Sequence, residues 1–177
     1  METPPAPAVL KAVVAELELH AEENGWNRPP TLYALVDTAE LVAAEPALGA
    51  QLGLTPDTVT PGTITPIEQE SLGDRPLDEA LARIAWPETV LGCALVQEVL
   101  VLPPDAEESR PDGADPVDWA SGHADKREVR MTVAVLRDGA RAAALRVRPT
   151  GEEERAEAAF GENLAPNLAE ALVATLH

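Results

Sequence analysis

Cysteine, aromatic residues and cations are all scarce in this chain, and each shortage excludes something. Cys93 is the only cysteine, which rules out an intrachain disulfide and a cysteine-rich metal cage. Aromatic residues make up 3% of the 177 residues, so the core must be built from Leu, Val and Ala, and a base-stacking nucleic-acid surface lacks its material. No stretch approaches the roughly 18 uninterrupted apolar residues that a bilayer-spanning helix needs. The opening Met1–Pro7 carries no basic segment and no apolar run follows it, so a secretory signal is not expected. Lys and Arg number 13 against 31 Asp and Glu, a formal net charge of −18. Such a charge repels phosphate backbones and anionic membranes, so neither nucleic acid nor membrane is an expected partner. The expected location is cytoplasmic. Lys11 and Lys126 are the only lysines beside eleven arginines, and Ala and Pro abound, the mark of GC-rich coding.

What is present reads as one compact α+β domain over residues 8–177, behind a disordered Pro-rich lead at 1–7. Leu10, Val13, Val14, Leu17 and Ala21 form a helical stripe that Asn24-Gly25 stops. Thr31–Val36 reads as a short buried strand, and Asp37 with Glu40 as a capping box opening a helix that Pro46 breaks or kinks. Three Thr-Pro pairs between 53 and 66 predict a surface crossing that ends in a short edge strand around Ile64–Glu68. Asp74 and Pro76 start a helix carrying Leu77, Leu81 and Ile84. Val90–Leu102, apolar on both alternating faces, predicts a central strand covered on two sides. Residues 103–125 are acidic, rich in turn formers and too long for an ordinary connection, which makes them a mobile segment or a lid. Asn163 is the expected N-cap of a last helix bearing Leu164, Leu168, Leu172 and Leu176.

The hairpin about Asp138-Gly139 permits a sharper reading. A two-residue turn would set arginines among Val129, Met131, Val133 and Val135, a row that wants the core. A three-residue loop, Arg137-Asp138-Gly139 with Gly139 left-handed, instead pairs Val133 with Ala143, Met131 with Leu145 and Val129 with Val147. The opposite face then carries Arg130, Arg146 and Arg148 beside Ala134, Ala142 and Ala144, with Arg130 directly across from Arg146. Like charges so placed destabilise a ladder unless a counter-charge lies near. Lys126–Arg148 holds seven basic and two acidic residues, a local charge of +5 against −23 for the rest. Two explanations stand. Either the arginines pair with the protein's own acids, such as Glu152–Glu154 or the 105–118 stretch, or they bind an acidic partner or small anion through forked contacts.

Other chemistry is not signalled. The glycines form neither phosphate-loop nor dinucleotide spacing, and His20, His123 and His177 lie too far apart to suggest a metal site. Asp105, Asp112, Asp115 and Asp118 do not match a calcium loop. A buried Cys93 would be inert. No catalytic residue, cofactor or metal site is therefore expected.

Several strings nevertheless fit a known pattern: Leu32–Thr38, Thr65–Gln69, Trp86-Pro87, Gly92–Leu95, Leu102–Pro104 and above all Glu128–Gly139. On these the chain resembles a family of conserved hypothetical proteins of actinobacteria with no assigned activity, over most of residues 8–176. That resemblance implies no catalytic residue and no ligand.

The expected architecture is a mainly antiparallel sheet of about five strands with the N- and C-terminal helices packed on one face. The expected function is a non-enzymatic binding or adaptor protein, self-associating as a homodimer or holding a protein partner, with Arg130, Arg146 and Arg148 as the contact face. The alternative is an anion-binding protein or enzyme whose site those arginines line and 103–125 covers.

Overall fold

The computed structural model describes residues 6–51, 53–55, 62–69, 75–101, 127–148, 158–161 and 164–176. Six strands among these residues form one open sheet: β1 (Thr31–Asp37), β2 (Ile64–Glu68), β3 (Val90–Val101), β4 (Arg127–Leu136), β5 (Arg141–Val147) and β6 (Ala158–Gly161). Their order is β2-β1-β3-β4-β5-β6, with every neighbouring pair antiparallel. Among the described residues five helices accompany them: α1 (Ala6–Asn24), α2 (Thr38–Ala44), α3 (Pro46–Gln51), α4 (Leu77–Ala82) and α5 (Pro166–Ala174). The class is α+β, as the sequence implies. The sheet has one strand beyond the five expected: β6, four residues long, is too short for a pattern of alternation to announce it.

Sequence logic fixes the centre. Cys93, Ala94 and Leu95 on β3 are fully buried, which only a strand covered on both faces allows. The β4–β5 hairpin adopts the three-residue loop: Leu136 closes on Ala140, Gly139 lies at φ +92°, and Val133 faces Ala143 with Met131 facing Leu145. β2 takes up the edge position that its proline requires. Asp37 caps α2, accepting the Glu40 backbone N–H at 3.0 Å, and Pro46 opens a separate short helix.

Three expectations change. The terminal helices do not share a face. α1 buries Leu10, Val13, Val14 and Leu17 against Tyr33, Leu35, Ala94, Ala134, Ala142 and Ala144, whereas α4 and α5 pack on the opposite side over Leu32, Cys93, Leu95, Val133, Val135 and Ala143. A strand apolar on both faces needs a cover on each, and one terminal helix supplies each cover. α5 begins at Pro166 with Ala165 as its cap; proline suits the first helical position because no N–H is needed there, and Asn163 lies outside the described residues. α1 takes in Ala6 and Pro7, again with proline in a first turn. The 103–125 stretch and Glu152–Glu154 lie outside the described residues.

Candidate functional site

α1 crosses the sheet where β4 and β5 carry alanine. Ala134, Ala142 and Ala144 let it approach closely, and its apolar stripe runs from Leu10 to Leu17. The stripe does not end there. Glu18 stands four residues after Val14, on the same face, and is 1% exposed. Glu22 follows one turn later.

These carboxylates meet the arginine row of the hairpin. Arg130 is 2% exposed. Its Nη2 donates to Glu18 Oε1 at 2.9 Å and to Glu22 Oε2. Arg146, directly across the ladder, donates from Nε to Glu18 and lies 3.5 Å from Glu22 Oε2. Thr132 donates its hydroxyl to the other Glu18 oxygen at 3.3 Å. Glu18 thus bridges two arginines that would otherwise repel, supplying the counter-charge that the pairing demands. Burial by itself would lower the Arg130 pKa; the hydrogen bonds and charges of Glu18 and Glu22 outweigh it and hold the guanidinium above its usual range. Arg148, further out, donates to Glu128 and to Asn27 Oδ1 at 3.0 Å.

This arrangement corrects the picture of an open arginine face. The three arginines do lie on one face, but α1 covers Arg130 and Arg146, and their partners among the described residues include Glu18 and Glu22, with Glu128 beside Arg148; the acidic segments the sequence suggested lie outside the described residues. The missed signal was in the sequence: an acid at a core position of the α1 stripe, one turn from a second acid, calls for buried cations.

One part of the cluster is incomplete. Arg130 Nε and Nη1 are buried, and among the described residues no acceptor lies within hydrogen-bond reach of either. Unmet buried donors of a charged group are costly and rare in native proteins. Arg130 is one of the residues lining a cavity of about 270 Å³ between the end of α1, the following loop, the start of β1 and the end of β3. Tyr33, Arg28, Glu68, Glu98 and His20 also line it, and it adjoins a groove of about 460 Å³ between α1 and β2 that shares His20, Tyr33 and Glu68.

The loop over this cavity is held from below. Both oxygens of Glu98 accept backbone N–H groups, from Asn27 at 2.9 Å and Arg28 at 2.7 Å. Gly25 (φ +81°) and Asn27 (φ +67°) take left-handed conformations on either side of Trp26. That turns the indole onto the arginines, with its ring 4.6 Å from the Arg130 guanidinium carbon and 5.7 Å from that of Arg148. Tyr33, the only tyrosine, is buried in the wall. Its phenol is pushed above 10, first by burial and then by the Glu68 carboxylate.

Cys93 is remote from this cleft, on the α5 side of the sheet. Its Sγ lies 3.6 Å from the Leu172 carbonyl and from Thr175 Oγ1. Burial pushes the thiol from 9.0 to about 11, against the lowering effects of the Thr175 hydrogen bond and the Arg137 charge. Between these values the unfolded chain is ionised and the folded chain is not. The stabilisation is therefore complete below pH 9 and is lost as pH rises through 11, by roughly 2–3 kcal/mol at about 1.4 kcal/mol per unit. Denaturant titrations between pH 8 and 11 should show the wild type losing that much more stability than Cys93→Ala; equal slopes would mean that the thiol ionises as freely as in solution. The described residues contain no group of three His, Cys, Asp or Glu side chains placed to hold a metal ion. Among them, no helix is long and apolar enough to cross a membrane.

Fold and site together define an α+β protein whose described residues form a six-stranded antiparallel sheet with helices on both faces, and a polar cleft lined by Arg130 from a buried arginine–glutamate cluster. Over residues 10–177 the sequence matches the model of the PPA1309-like protein family, and the chain belongs to that family. No curated protein and no solved structure matches it.

Proposed function

We propose that this protein binds a small polar molecule in the cleft beneath the end of α1, with Arg130 as the buried donor at its floor. One observation carries the reading: Arg130 is almost fully buried and anchored by two carboxylates, keeps Nε and Nη1 without a hydrogen-bond partner among the described residues, and lines the cavity. Buried polar groups are normally satisfied, so this cavity suits a ligand that brings an acceptor oxygen. The walls are preformed: Glu98 fixes the loop, Trp26 fixes the guanidinium plane, and Glu18 fixes its position.

A docking role for the arginine face has less support, because α1 already occupies it and Arg130 cannot reach a partner without displacing that helix. A cytoplasmic setting and an actinobacterial source belong to the same proposal; the acidic composition and the excess of arginine over lysine support them.

The test is a thermal-shift screen with small carboxylic acids, amides, amines and polyols on two proteins, the wild type and Ala21→Leu. Ala21 lines the cavity from α1 and lies outside the ion cluster, so leucine fills the space while keeping the helix. A ligand at 100 times its Kd stabilises by about 2.7 kcal/mol, which is roughly 5–10 °C for a chain of this size. The expected result is such a shift in the wild type and its loss in Ala21→Leu. A shift of equal size in both proteins would remove the cleft from consideration.

A further inference from the structure

The charges around the cleft select the kind of molecule it takes. Arg130 and Arg146 are balanced by Glu18 and Glu22, which lie behind the cavity rather than in it. Besides His20, the charged groups left on the lining are Arg28, Glu68 and Glu98, which sum to −1. Both Glu98 oxygens already accept backbone N–H groups. The Glu68 carboxylate has no hydrogen bond or ion pair with any described residue, and it stands where the cavity and the α1–β2 groove meet, beside Tyr33. Arg130, with two donors lacking a hydrogen-bond partner among the described residues, therefore lines the cleft, and at its mouth stands an acidic acceptor without a donor among them.

Resting on the binding reading above, we infer that the cleft takes a compact cationic amine bearing a carbonyl or hydroxyl oxygen, with the oxygen toward Arg130 and the ammonium group toward Glu68. An anion is disfavoured. It would meet a lining that is already net negative, and the arginine charge that might draw it in is neutralised by α1. An anion was the alternative read from the sequence, where the arginines stood out and the glutamates that cancel them did not.

Three probes of nearly equal size isolate the charge: β-alaninamide (cation), butyramide (neutral) and succinamate (anion). Each carries the same amide oxygen. Tyr33, as the only tyrosine, reports directly on the cleft through its ring NMR signals during titration at pH 7. Affinity should fall in the order β-alaninamide, butyramide, succinamate. Glu68→Gln should weaken β-alaninamide by roughly three- to fivefold, the usual worth of one solvent-facing charge pair, and leave butyramide unchanged. Ala21→Leu should abolish all three titrations. An equal or reversed ranking, with binding still abolished by Ala21→Leu, would overturn the amine inference and leave the cleft as a site. Tyr33 signals that respond to none of the probes, or that respond equally in Ala21→Leu, would overturn both.

Discussion

Glu18→Ala should destabilise the protein by about 3–5 kcal/mol, the range for breaking a buried ion pair and leaving its partner uncompensated. The residue is 1% exposed and is the common acceptor for Arg130, Arg146 and Thr132. Its removal strands the Arg130 guanidinium beneath a helix, with Glu22 as its one remaining carboxylate among the described residues. Glu22 is 43% exposed at its side chain, so water can replace it; Glu22→Ala should cost about 1 kcal/mol or less. Against a typical total of about 5–15 kcal/mol, the first change alone brings the chain near its unfolding threshold. Removing the charges together tells a different story. Glu18→Leu combined with Arg130→Met and Arg146→Met should recover much of the loss, since a buried ionic cluster replaced by packed apolar groups is often neutral or stabilising. Urea midpoints for these three proteins decide the matter. A loss below about 1 kcal/mol for Glu18→Ala would show that α1 does not hold the arginines in a dry environment.

Gly92→Ala should be comparably severe, for a purely steric reason. A Cβ at this position would sit 2.0 Å from the Val135 carbonyl oxygen and 3.0 Å from the Leu136 Cα, both backbone atoms of β4 that cannot rotate away. The site lies beside an irregularity of the β1–β3 ladder, where Leu35 pairs with Gly92 and Val36 with Val90. Close approach of two central strands is what a glycine inside a strand permits. The expected cost is about 3 kcal/mol or more, at or above the usual range for overpacking. Gly25→Ala provides the contrast: nothing lies within 4 Å of its added Cβ, so only the left-handed backbone, at φ +81°, is penalised, by about 1–2 kcal/mol. If chemical denaturation ranks Gly25→Ala as the more damaging change, the β3–β4 spacing described above is wrong.

Much of this architecture was legible in the residue order, and the reasons are local. The hairpin register followed from one requirement, that Val133 and its neighbours not share a face with arginine, and the observed pairing meets it. The edge strand Ile64–Glu68 followed from prolines that no inner strand accepts. What could not be read was tertiary. The choice of face for α1 depends on which alanines of β4 and β5 receive it, and two candidate covers looked equivalent as isolated stripes. β6 lacked a long enough pattern.

The site was half visible for the same reason. Arg130 and Arg146 stood out as an uncompensated pair, and their counter-charges had to come from somewhere. Distant acidic runs drew attention because of their density, while Glu18 and Glu22 were hidden inside a helix read for its apolar residues. Arg130 and Glu18 are 112 positions apart in sequence, and only the fold brings them to 2.9 Å. An acid in an apolar stripe and an arginine opposite an arginine were two halves of one statement.

The account turns on Arg130 being sealed beneath α1, and its Nε–H signal tests that most directly. In a nitrogen–proton NMR spectrum near neutral pH, assigned by its disappearance in Arg130→Lys, this proton should exchange with water far more slowly than those of the exposed arginines, because almost none of its surface meets solvent. Exchange as fast as that of a solvent-exposed arginine would contradict the covered face.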